Sequence, residues 1–149
     1  MDFVEVKAEN RELIDKIYSN ELESFGLMGG ADMWMIMSFI RYGKLYVLMD
    51  GNELLSVAQY QAVLSEKSVF LYGFSTVPSQ RGKGYAIELL IKTHEELKKY
   101  DIEKIYLTVD PKNLIAINMY QKMGYTIVEL QKDEYGKEID RYLMVKELL

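Results

Sequence analysis

The feature of this chain that most limits its fold is a change of period near its middle. Three β-rich runs, KLYVLMD, ELLSVAQYQAVL and SVFLYGFSTV, follow one another between Lys44 and Val77, separated only by the turn-forming segments DGN and SEK. Turns this short join antiparallel neighbours, so the runs predict a three-stranded meander. From Gly82 the pattern becomes helical, with Ala86, Ile87, Leu90, Ile91, His94 and Leu97 on one stripe and Glu88, Lys92, Glu95, Glu96 and Lys99 opposite. KIYLTV then reads as a buried strand. A strand, a crossover helix and a strand in that order imply parallel pairing. A chain that holds both a meander and a parallel crossover is confined to a mixed sheet with helices on its faces.

The flanks fit that frame. Phe3, Val4 and Val6 suggest a short first strand, and NRELIDKIYSNELES sets Leu13, Ile14, Ile17 and Leu22 at helical spacing behind a cap at Asn10. FGLMGG breaks this helix. Asp32 caps a second one, MWMIMSFIRYG, which is apolar nearly all round until Arg41 and Gly43 end it. After KIYLTV, Asp110 and Pro111 read as the N-cap and first-turn proline of KNLIAINMYQKM, closed by Gly124. YTIVELQ and EIDRYLMVKEL read as a closing hairpin around Gly136. The expectation is an α/β (α+β) domain over residues 1–149, with about seven strands and about four helices.

Composition removes several functions. At 149 residues the chain suits one domain with its own core. No apolar run approaches the ~20 residues of a membrane span, and the acidic start MDFVEVKAENRELIDK lacks the basic and apolar parts of a secretory signal. No membrane partner and a cytoplasmic location are therefore expected. Without cysteine, neither disulfides nor thiol catalysis is available. A net charge of −5 argues against a broad basic surface for nucleic acid and suits a cationic partner better, although most surface charge is simply solvated.

The segment VPSQRGKGYA puts two glycines and two cations where a strand feeds a helix. The first N–H groups of a helix lack intrahelical partners, and the macrodipole draws anions to them. Gly82 and Gly84 remove side chains that would hold a ligand away, while Arg81 and Lys83 add charge; the physics suggests a phosphate or pyrophosphate cradle, the plain alternative being an ordinary turn. A Walker A loop fails because Lys83 is followed by Gly84, not Ser or Thr. A dinucleotide fingerprint fails because Ile87 stands at the third glycine position and the preceding meander is wrong for a doubly wound sheet.

A third pattern fits. Arg81, Gly84 and Ala86 make RxxGxA within PSQRGKGYAIELL, and NLIAINMYQKMGY sets Asn113, Ala116, Tyr120, Gly124 and Tyr125 at fixed spacings. This pair of motifs resembles the GNAT superfamily of acyl-CoA-dependent N-acetyltransferases, whose order of elements is also similar along the whole chain. The motif-bearing part runs from about Phe70 to Tyr125.

The resemblance implies a GNAT-like, mostly antiparallel central sheet and acetyl-CoA as cosubstrate. In that family the backbone of the turn binds the pyrophosphate, which carries over to Arg81, Gly82, Lys83, Gly84, Tyr85 and Ala86. The pantetheine arm lies along the preceding strand like an added strand, implicating Phe74 and Thr76, the latter where the family usually has valine. Asn113 looks like the family's residue near the cofactor, beside its plain role as a helix cap. Asn113, Ile117 and Tyr120 share one helix face.

Acetyl transfer from a thioester to a primary amine of a small molecule or peptide needs a deprotonated amine and a donor for the leaving sulfur. An alkylammonium has a pKa near ~10.4, so a base or a water relay is required. A thiol's pKa near ~8.5 lies below a tyrosine's ~10, so a tyrosine is still protonated when charge builds on sulfur. Tyr120 is the expected general acid. The base is not evident: SVFLYGFSTV carries no carboxylate, Glu66 sits at its far end, and Tyr72 and Ser75 offer at most a water chain. His94, the single histidine, lies ~18 Å along the helix from Gly82 and reads as structural.

The first two helices usually build the acceptor pocket in this family. Here they carry Phe25, Leu27, Met28, Met33, Trp34, Met35, Met37 and Phe39, with Glu21, Glu23 and Asp32 close in sequence. Core packing is the plain reading of these apolar residues, a pocket wall or a homodimer contact the functional one. The alternative to an enzyme is a coenzyme A-binding or sensing module without transfer activity, for which the missing strand carboxylate is the motive.

Overall fold

The structure, a computed structural model, describes residues 1–148, the side chain of Met28 excepted. Its elements are β1 (Asp2–Glu5), α1 (Arg11–Gly29), α2 (Met33–Tyr42), β2 (Lys44–Asp50), β3 (Glu53–Val63), β4 (Ser68–Thr76), α3 (Tyr85–Lys98), β5 (Lys104–Val109), α4 (Leu114–Lys122), β6 (Thr126–Gln131) and β7 (Arg141–Glu147). The strands form one seven-stranded sheet in the order β1-β2-β3-β4-β5-β7-β6. Every adjacent pair is antiparallel except β4 and β5, joined through α3 as the crossover pattern requires. The mixed sheet, the three-stranded meander and the closing hairpin match the expectation.

Alternation along β2 explains why its run is apolar throughout. Leu45, Val47 and Met49 join one core with Ile14, Ile17 and Ile36 of α1 and α2, while Tyr46 and Leu48 join the other with Leu89, Leu90 and Leu97 of α3. A strand covered on both faces has no polar side to present. Burying each of these aliphatic side chains is worth roughly 1.5–3 kcal/mol against leaving it in water.

Three local expectations need correction. On α1 the buried stripe continues from Ile14 and Ile17 to Asn20 and Glu21, whereas Leu22 is only partly buried, because the i+4 step from residue 17 falls on residue 21. On α3 the core face is Leu89, Leu90, Thr93, His94 and Leu97. Ile87 and Ile91 are about half exposed. Thr93 is tolerated inside because its hydroxyl meets Tyr60 Oη at 2.7 Å and donates to Leu90 O at 3.0 Å. The third correction concerns α4: its cap is Asn113, whose Oδ1 accepts from Ala116 N at 3.1 Å, while Asp110 closes its own turn by accepting from Lys112 N at 2.9 Å. Asn113 still has non-helical backbone angles, so Pro111 precedes the helix instead of opening it.

The sheet splits beside α3. Between β3 and β4 the register jumps from Gln59 opposite Gly73 to Tyr60 opposite Leu71, which makes Tyr72 the extra residue of a β-bulge. β4 pairs with β5 only over Ser68 to Leu71, although β5 goes on pairing with β7 as far as Val109. From Tyr72 to Thr76, β4 therefore turns an edge unpaired with β5 toward the gap.

Candidate active site

The gap between the diverging strands is a cleft of about 960 Å³. One end meets the start of α3. α1, α2 and α4 begin with side chains that accept a first-turn N–H, from Asn10, Asp32 and Asn113 respectively. α3 begins at Gly84 with no side-chain cap, at φ 83° and ψ 7°. Gly82 also has positive φ, and a Cβ at either glycine would meet nothing within 4 Å. These glycines are required by backbone conformation and leave the first amides of α3 open to an anion, so the turn and cradle readings describe one geometry. Arg81 stands beside those amides with its Nε donating to Thr76 O at 3.3 Å.

The structure brings Phe74, Thr76, Arg81, Gly82, Gly84, Tyr85, Ala86, Asn113 and Tyr120 together on the cleft wall. Lys83 is not on that wall, and its Nζ donates to Gln80 Oε1 at 3.1 Å. The floor is aromatic: the rings of Phe74 and Tyr120 lie 6.4 Å apart, and Tyr120 meets Tyr125 edge-on at 5.6 Å. Burial pushes the Tyr120 phenol well above its ordinary range, so it keeps its proton. His94 lies behind this floor, with Nε2 2.9 Å from Tyr125 Oη. Burial, then Lys146 and Lys98, push its imidazole down to about 4, which makes it a neutral structural group. The residues hold what coenzyme A would ask for: free helix amides and a cation for phosphates, a strand edge for an extended arm, and a neutral hydroxyl deeper in.

The sequence of this site matches a known group. The profile of the Acetyltransferase (GNAT) family fits residues 12–125. The chain belongs to the GNAT family. Among curated GNAT relatives, it is 29% identical over 90 residues to the [ribosomal protein bS18]-alanine N-acetyltransferase of Haemophilus influenzae, a match spanning 60% of each chain. Among solved GNAT structures, the ribosomal-protein-S18-alanine N-acetyltransferase from Escherichia coli superposes with a TM-score of 0.79 at 20% identity, covering 99% of this chain and 94% of that one. An aminoglycoside 6'-N-acetyltransferase complexed with coenzyme A gives 0.83 at 16% identity, covering 100% and 98%. These likenesses establish the GNAT fold.

The far end of the cleft holds residues that the motifs do not reach. Glu21, Phe25 and Ala31 form one wall, and Tyr135, Ile139 and Arg141 from the β6–β7 hairpin form the other. Of the described apolar side chains expected at an acceptor pocket, only Phe25 lines this cleft; Phe39 is buried, and Leu27 and Trp34 face outward. Met28 lies outside the described side chains. Glu21 was detectable in principle, as a carboxylate at the next position of an apolar helix stripe. The hairpin residues carry no local signal, because only the strand order brings them to β5.

Proposed function

We propose that this chain transfers an acetyl group from acetyl-CoA to a primary amine of a small molecule or peptide. The observation that carries this reading is the start of α3, which alone of the described α-helices opens without a side-chain cap and faces a cleft floored by Tyr120. Bound there, acetyl-CoA supplies a thioester carbonyl open to attack. The α3 amides and Arg81 hold negative phosphate groups, as Gly82 and Gly84 allow. The unpaired edge of β4 from Phe74 to Thr76 offers backbone groups to an extended arm, and one N–H there faces charge that builds on a carbonyl oxygen. Tyr120 holds its proton through burial and gives it to sulfur as the carbon–sulfur bond breaks. The same dry floor raises the proton affinity of a departing thiolate, so burial does not oppose the transfer. A carbon–nitrogen bond forms, the amine loses a proton, and sulfur gains one.

The relatives act on unlike acceptors, a ribosomal-protein alanine in one case and aminoglycosides in another. The test therefore pairs calorimetric titration of acetyl-CoA with a panel of 2-phenylethylamine, spermidine, kanamycin and peptides beginning with alanine or methionine, read by mass spectrometry. Micromolar binding and gain of one acetyl group on at least one amine are expected. Absence of acetyl-CoA binding would remove the reading; binding without any product would replace it with the coenzyme A-sensing module.

A further inference from the structure

Glu21 is the only carboxylate among the buried residues described, at 2% exposure, and it lies on the cleft wall. Its Oε1 accepts from Gln59 Nε2, and the carboxylate also accepts from the backbone N–H of Ala31. A carboxylate has about four acceptor positions, so these two bonds leave capacity unused. Burial raises its pKa above the ordinary carboxylate value, the two hydrogen bonds offset this in part, and no cationic side chain contributes among the described residues. A buried anion with hydrogen bonds but no counter-charge is costly, and the cost falls when a cation arrives. The supporting shell has the same character: Gln59 is 1% exposed and its Oε1 has no hydrogen-bond partner. Gly73 sits opposite Gln59 and makes room for this amide, since a Cβ there would come within 3.0 Å of Nε2.

We propose that Glu21 receives the acceptor's ammonium group and takes its proton during transfer, with Gln59 as the positioning residue that aims the carboxylate. The inference rests on the acetyl-transfer reading above and supplies the base that β4 lacks. An ammonium brings three donors and the missing positive charge. The ammonium first gives one proton to the Glu21 carboxylate, which releases it to solvent, and this frees the nitrogen lone pair for attack. As the carbon–nitrogen bond forms, the nitrogen becomes strongly acidic and loses a second proton by the same route, while the departing sulfur takes a proton from Tyr120, whose phenol is then reprotonated from solvent. The other titratable groups around this end of the cleft are Tyr72 on β4, Asp32 before α2, and Tyr135 and Arg141 on the facing hairpin. The Tyr72 phenol is raised by burial first and then by Tyr135, Glu21 and Asp32, so it stays neutral.

The test compares wild type, Glu21→Gln and Glu21→Asp with the best acceptor of the amine panel, across pH 5.5 to 9. Acetyl-CoA affinity and thermal midpoint are measured on each, and the Glu21 carboxyl is titrated by carbon-detected NMR with and without 2-phenylethylamine. In Glu21→Gln, kcat/KM is expected to fall at least about 100-fold and the acidic limb of its pH profile to vanish, while acetyl-CoA affinity stays within about twofold. The amine should lower the carboxyl's titration midpoint in the wild type. Glu21→Gln turnover within about threefold of wild type with the same acidic limb would overturn the inference, as would loss of rate that merely tracks loss of acetyl-CoA binding. Should Glu21→Gln not fold, Glu21→Asp decides: a tenfold or greater loss with a displaced limb supports the role, and an unchanged profile overturns it. Wild type that binds acetyl-CoA and acetylates amines keeps the transfer reading whatever Glu21 does; wild type that acetylates none of the panel removes both.

Discussion

Three buried rings stand together at the base of the cleft, Tyr120 and Tyr125 in edge contact and His94 behind them. Replacing Tyr120 with phenylalanine keeps the ring against Phe74 and removes only the hydroxyl. Tyr120→Phe is expected to lower kcat by about 10²-fold or more with acetyl-CoA affinity nearly kept, as steady-state kinetics and calorimetry would read; unchanged turnover would take the phenol out of the reaction. His94 predicts a pH effect on stability. Its folded pKa of about 4 lies below the ordinary 6.5, so between those values the unfolded chain binds a proton that the folded chain refuses. Stability due to this residue is complete above pH 6.5 and is lost as pH falls toward 4, with a slope of at most about 1.4 kcal/mol per pH unit. Glu21, raised by burial, works in the opposite direction, favouring the folded state more as its carboxyl protonates. Chemical denaturation of wild type and His94→Gln over that window isolates the histidine: the difference between the curves should grow on acidification, and parallel curves would mean that His94 is exposed.

At the scale of the element, α3 departs from the way the other helices begin. Gly84→Asp supplies the missing cap anion in the chain itself and places it where a phosphate would lie. It should weaken acetyl-CoA at least tenfold by calorimetry. Gly84→Asn, which bears the same backbone conformation without the charge, should weaken it much less. Equal losses would assign the effect to the backbone. This loop was legible in the sequence because positive-φ glycines, cations and a helix start are all local properties. The α4 cap was not: Asp110 and Asn113 are both suited to capping, and the path out of β5 decides between them. The exposed Ile87 and Ile91 misled in a similar way, since an i, i+4 pair fits a helix stripe and only the packed sheet tells which stripe faces inward.

At the scale of the molecule, the meander, the parallel crossover and the closing hairpin followed from pattern, while the insertion of β7 between β5 and β6 and the cleft did not. Its opening depends on one extra residue, Tyr72, and on β4 leaving β5 after Leu71, and neither is written in the run SVFLYGFSTV beyond the glycine at position 73. A ligand bound in that opening touches both halves of the sheet. Acetyl-CoA at one hundred times its dissociation constant should stabilise the fold by about 2.7 kcal/mol. Hydrogen exchange should slow most at Tyr72 to Thr76 and Gly82 to Ala86, and no more at β1 and β2 than global stabilisation explains. Protection spread evenly over all strands would place the ligand elsewhere.

The unpaired edge of β4 has a consequence for how this protein can change over time. Contacts made by main-chain N–H and C=O are the same for almost any residue, so the side chains along Phe74 to Thr76 are free to drift while the grip on an extended ligand persists. Proline is the exception, because it deletes a donor. On the proposed reading, the segment that would hold the cosubstrate is thus tolerant of variation in its letters and intolerant of any change in its path, whereas the wall around Glu21, built mainly of side chains, could be rewritten for a new acceptor without disturbing the rest.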